Sequence, residues 1–207
     1  IEQRMEQKEG IVSQKRDQID EKVEKRRRQR DEKLAQKRAE WNSRRQVRYE
    51  NLRQRAKTDE QKEAVERFIE AVDNAVQTKQ RRIDEIIAQF REDADEVLRM
   101  HRESYDSVIN RFRQAIKEAI EKAIASCQAG DDNSKIRQTL KDDLKRARER
   151  FHEDREKMEK IKDVMEPIGQ ERHNAIHAVI EEFRQEVREA AEQLREAFKE
   201  GGEQDEE

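Results

Sequence analysis

The sequence predicts an all-α protein, with three long helices forming an extended coiled-coil hairpin or bundle and the third helix kinked near Pro167. Three observations predict it. Of 207 residues, 47% are charged and only 32% hydrophobic, whereas ordinary soluble domains are roughly a quarter charged and nearly half apolar. Such a chain is either a disordered polyampholyte or a set of long helices that each bury a narrow seam. One proline and five glycines, in a chain dominated by the strong helix formers Ala, Glu, Lys, Arg and Gln, select the helices. Finally, the apolar residues recur at helical spacing.

The first element is a basic, sparsely apolar helix over residues 1–57. Met5, Val12 and Ile19 make a seven-residue seam, but the same register then meets Arg26 and Lys33. Between Val23 and Trp41 only Leu34 and a pair of alanines interrupt the charge, and a weak seam resumes with Trp41, Tyr49, Leu52 and Ala56. Pairs at i,i+4, such as Glu21/Lys25 and Glu24/Arg28, support such a helix by a few tenths of a kcal/mol each. Without a full stripe it either projects from the hairpin or is covered by a second copy.

Residues 58–200 read as an antiparallel helical hairpin. Thr58-Asp59-Glu60-Gln61 is a capping box that starts its first arm. Gly130 with Asp131-Asp132-Asn133-Ser134 closes the turn, the glycine ending one helix and a polar side chain capping the next. Phe68, Phe90 and Phe112 recur every 22 residues, two units of 11, the period of a straight or slightly right-handed coiled coil. Each is followed by apolar residues: Val72, Ala75, Val76; Ala94, Val97, Leu98; Ile116, Ala119, Ile120; a further row holds Ile83, Tyr105 and Cys127. In the second arm Phe183-Arg184-Gln185 echoes Phe112-Arg113-Gln114, after a heptad-like run through Leu144, Ala147, Phe151, Met158, Ile161, Met165 and Ile168. Pro167 and Gly169 predict a kink or short break. Gly201-Gly202 ends the helix before an acidic, disordered tail within 201–207.

Net charge is −3 overall, but residues 21–57 hold 15 Lys+Arg against 6 Asp+Glu, a local +9 that leaves −12 elsewhere. A basic helix and an acidic remainder can neutralise each other within a molecule or between copies. The candidate anion or partner contacts are Arg26, Arg27, Arg28, Arg30, Arg44, Arg45 and Arg48, with Trp41 and Tyr49 available for stacking. Nucleic acid is the weaker reading, because Asp31, Glu32 and Glu40 interleave with the cations.

The sequence nominates no catalytic residue, cofactor or metal. It carries no Gly-rich phosphate loop, GxSxG or HExxH motif. His173 and His177 share a helix face at i,i+4, but read as a core-edge pair beside the Pro167 kink. Asp131-Asp132-Asn133 resembles part of a calcium loop without its later bidentate Glu, and capping explains it better. Cys127 is the only cysteine, so no intramolecular disulfide forms and any disulfide it made would join two copies. No apolar run approaches the ~20 residues of a membrane span. Ile1 in place of Met is the expected trace of a cleaved signal peptide or of trimming.

With TDEQKEAVERF, the Phe-spaced repeat and ASCQAGDD before another charged helix, residues 35–200 resemble a group of charge-rich, long-helix proteins encoded with signal peptides in small-genome bacteria, whose members are largely uncharacterised. The resemblance implies a non-enzymatic role outside the cytoplasm, periplasmic, at the cell surface or secreted, with the cytoplasm as the alternative. The chain is also loosely similar to small periplasmic helical chaperones, though it lacks their LTxxQ signature. The expected function is a structural protein that self-associates through helix–helix contacts, as a filament or surface scaffold; the alternative is an ATP-independent chaperone or polyanion-binding scaffold.

Overall fold

The computed structural model describes residues 2–200 and is an all-α helical bundle. Its helices are α1 (Glu2–Arg55), α2 (Asp59–Gln128), α3 (Asn133–Lys157) and α4 (Ile161–Glu200), and the described residues contain no strand. The acidic tail expected after Gly201 and the side chain of Met5 lie outside the described residues. Packing divides the chain into two compact units, Ile1–Val72 with Glu189–Glu207, and Asp73–Arg188.

In the first unit, α1 turns into α2 through three residues. The backbone amide of Gln61 donates to Thr58 Oγ1 at 3.2 Å, while Gln61 Oε1 accepts from the amides of Lys57 at 2.9 Å and Thr58 at 3.5 Å. The capping box therefore forms as the sequence requires, and it leaves Gln61 a buried polar residue with partners. Arg53 reaches across the turn to grip both oxygens of Glu66, at 2.7 and 3.0 Å. That hydrogen bond holds the Glu66 carboxyl below its ordinary range. Tyr49, Ala56, Ala64, Val65, Ile69 and Val72 are buried here, Val65 completely.

The second unit is an antiparallel hairpin. Lys122 pairs with Asp143 at 3.2 Å, Arg111 with Asp154 at 3.3 Å, and the rings of Phe112 and Phe151 lie 4.8 Å apart. Further from the turn, Arg172 covers Phe90 at 4.3 Å, Arg82 pairs with Glu182, and Lys79 covers Phe183 at 3.6 Å. As the α2 position falls, its partner rises almost residue for residue, through α3 and on into α4. Surface ion pairs of this kind contribute little stability, but together they define the register.

Burial repeats every 11 residues. Ala64 and Ala75, Val65 and Val76, Val108 and Ala119, Ile136 and Ala147, Val179 and Ala190 are all buried. Eleven residues in three turns gives 3.67 per turn, so such a seam runs straight or with a slight right-handed twist. The 22-residue repeat is two of these units, and every apolar position following Phe68, Phe90 and Phe112 is buried or half-buried. Cys127 departs from its row: Ile83 and Tyr105 are half-buried, whereas Cys127, in the last turn of α2, is exposed.

Gly130 takes φ +80°. The Asp131 amide bonds to the Ser126 carbonyl at 3.1 Å and the Gly130 amide to Cys127 at 3.2 Å, the two bonds of a Schellman motif. Asp132 then caps α3, its side chain accepting from the Lys135 amide at 3.0 Å. A Cβ at Gly130 would meet no atom within 4 Å, so Gly130→Ala should cost only left-handed backbone strain, about 1–2 kcal/mol, measured by urea unfolding.

The interruption of the last helical span falls at Met158–Lys160, while Pro167 sits inside α4. The amides of Asp163 and Val164 bond to the Lys160 carbonyl and begin α4 afresh. Restarting there places the proline in the second turn of a helix rather than in the middle of a long one, so its missing donor and ring clash fall near a helix start.

Candidate functional site: a cationic line along α1

The residues of α1 fall into distinct lines. Val12, Arg16, Val23, Arg27, Leu34, Arg38 and Arg45 are half-buried and Tyr49 is buried, at alternating steps of four and seven. The seam of α1 thus has the 11-residue period of the rest of the bundle, and the seven-residue seam through Ile19 does not continue it. Ile19 is 51% exposed, because a seven-residue repeat drifts off a line that returns every 11, and Trp41, 55% exposed, stands outside the weak seam that keeps Tyr49, Leu52 and Ala56. Arg26 and Lys33 are consequently surface residues rather than polar intrusions into a core.

A second line lies beside the first. Lys15, Lys22, Arg26, Lys33, Lys37, Arg44, Arg48 and Arg55 follow the same alternation of seven and four, which is about two turns and one turn. All eight are exposed cations. At 1.5 Å per residue the line extends about 60 Å, with cations about 6 and 10 Å apart along the axis. None forms an ion pair among the described residues. Positions three and four away from them are cations or neutral residues except for Glu40 and Asp59.

This line sorts the nine candidate contacts. Arg26, Arg44 and Arg48 belong to it. Arg30 and Trp41 border it, Trp41 one turn from both Lys37 and Arg44. Arg28 is exposed on another face. Arg27 is turned toward the half-buried seam, its side chain only 19% exposed and bonded to Glu24 at 2.9 Å; Glu24 therefore pairs at i+3 rather than with Arg28. Arg45 lies over the Tyr49 ring at 6.0 Å, and Tyr49, 3% exposed, has no face open to a ligand. The lysines of the line and Arg55 were missed because charge density alone singled out the arginine cluster. Their signal is the alternation of seven and four.

On α2, by contrast, cations and acids are locally matched. Arg81 meets Glu85 at 2.9 Å, Arg99 sits between Glu96 and Glu103 at 2.5 and 2.6 Å, Arg67 meets Glu63 at 3.5 Å and Lys117 meets Glu121 at 3.8 Å. A cavity of about 300 Å³ at the α2–α3 turn is lined by Lys122, Lys135, Asp131, Asp132 and Asp143, but its charges answer one another. Hydrogen bonds from Arg146 and Lys122 hold the Asp143 carboxyl below its ordinary range. His173 and His177 are both exposed, which corrects the core-edge expectation: the seam passes through Arg172, Ile176 and Val179 instead. His177 lies 3.9 Å from Glu181, and the described residues contain no group of three or more His, Cys, Asp or Glu side chains placed to hold a metal. No described helix is long and apolar enough to cross a membrane. No family model, curated protein or solved structure matches the chain, so its functional reading rests on this geometry alone.

Proposed function

We propose that the protein is a non-enzymatic structural scaffold, a helical bundle whose copies associate through the first helix. The observation that supports this is the placement of bulky apolar side chains on α1. Ile19 and Trp41, six turns apart and so on one line, are about half exposed, as are Ile11 and Val47 on the same helix. Single exposed apolar residues are ordinary. Here, though, a helix with few bulky apolar residues spends four of them on its surface. A second copy covers them while bringing the acidic remainder of one chain toward the basic helix of another. Lateral or head-to-tail pairing of this kind builds a filament or surface layer.

Trp41 is the only tryptophan, so its emission reports on this surface. On raising the concentration without added ligand, small-angle scattering should show growing mass while the emission shifts to the blue. Trp41→Glu should hold the protein monomeric. Constant monomer mass with unchanged emission across the range would overturn the reading.

A further inference from the structure

We propose that the cationic line of α1 binds single-stranded nucleic acid along its phosphodiester backbone. Three observations lead there. First, the line is maintained against helix stability. Lys22/Arg26, Lys33/Lys37 and Arg44/Arg48 are like charges at i,i+4, an arrangement that disfavours a helix by a few tenths of a kcal/mol per pair, whereas α2 places an acid beside Arg67, Arg81, Arg99 and Lys117. Eight successive positions without an acid, in a chain with 50 acidic residues, point to an anion supplied from outside the helix.

Second, the shape of the line selects the polyanion. It runs about 60 Å along the helix while drifting only about 40° around the axis, and is one to two side chains wide. A duplex backbone winds away from a straight rod, and its phosphates would meet the line only at intervals. A flexible single strand can follow it throughout, occupying on the order of 10 nucleotides, within the usual site sizes for such proteins. Third, Trp41 is exposed between Lys37 and Arg44, where an unpaired base can stack on it; an aromatic platform beside a cationic track is the usual construction of a sequence-tolerant single-strand site. The absence of bulky apolar residues within the line itself disfavours a lipid surface.

Fluorescence anisotropy with a labelled mixed-sequence 30-nucleotide DNA strand tests this on the full chain. Contact by about eight cations predicts a slope of log K against log salt of about −5 to −6, roughly a thousandfold loss between 50 and 200 mM salt. Arg26→Gln/Lys33→Gln/Lys37→Gln should weaken binding at least tenfold at 50 mM salt. The charge-matched triple Arg67→Gln/Lys117→Gln/Lys145→Gln should leave it within about twofold. Circular dichroism should show both triples as helical as the parent. Failure to bind the strand, equal loss in the two triples, a slope shallower than about −2, equal or tighter binding of the duplex, or equal competition by polyglutamate or anionic vesicles would each overturn the proposal.

Discussion

Val65→Asp is expected to unfold the region around the α1–α2 turn. Val65 is the one side chain among the described residues with no exposure at all, and burying an unpaired carboxylate costs several kcal/mol. That is comparable to the whole stability of many domains, and this core is thin, built largely from alanine and valine. Thermal unfolding followed by circular dichroism should show a large fall in midpoint or loss of the cooperative transition, against a cost of about 2 kcal/mol for Val65→Ala. Met100→Asp, at a position 58% exposed on α2, should stay within about 0.5 kcal/mol of the parent. The carboxyl introduced by Val65→Asp would have its pKa raised by burial, so the penalty should be smallest at low pH and grow as pH rises. Equal stability of the Val65→Asp and Met100→Asp variants would show that the turn region does not pack as described.

Phe183→Lys is the second large effect. Lys79 covers the Phe183 ring at 3.6 Å, and the substitution removes both the apolar contact and the cation–ring attraction while setting two ammonium groups together. A loss of about 2–3 kcal/mol is expected. The exchange Lys79→Phe with Phe183→Lys rebuilds the pair with its partners swapped and should recover at least about 1 kcal/mol, read as a double-mutant cycle in urea. Zero coupling would show that the layer has no specific pairing.

The expectation has a structural reason. One repeat along, the roles are reversed, with Arg172 on α4 covering Phe90 on α2 at 4.3 Å. Sliding the hairpin by 11 residues would keep apolar residues facing apolar residues, since burial repeats at that interval, but it would bring Lys79 to Arg172 or Phe90 to Phe183. The repeat alone leaves register ambiguous. The alternating cation and aromatic layers resolve it, since a slip one way sets Lys79 against Arg172 and a slip the other way leaves both cations without the rings they cover.

Much of this architecture is legible from local sequence. Helix identity follows from propensity and the scarcity of breakers, the Thr58 capping box from a reciprocal pair of side chains three residues apart, and the Gly130 turn from the residue that tolerates positive φ. The 22-residue spacing of Phe68, Phe90 and Phe112 exposes the repeat. The errors occur where a stripe has to be extrapolated. Met5, Val12 and Ile19 fit a seven-residue rule for two steps, and that rule then reads Arg26 and Lys33 as faults in a seam; the resumed seam keeps Tyr49, Leu52 and Ala56 but not Trp41. The kink or short break that local sequence expects near Pro167 is present, and only packing sets it at Met158–Lys160, in a segment with neither proline nor glycine. A single wheel centred on Ile180 puts His173 near the seam, but both histidines are exposed.

The sequence by itself determined that this protein is helical, where the turns at Thr58 and Gly130 lie and that its helices carry a periodic seam, because these depend on groups within a few residues of one another. Only the tertiary structure decided which of two equally dense sets of arginines is covered. Arg27 and Arg45 turn into the half-buried line, while Arg26, Arg44 and Arg48 continue the exposed one. A helix places neighbouring positions about 100° apart, so adjacent arginines are indistinguishable in composition yet opposite in environment, and only packing shows which face is closed to solvent.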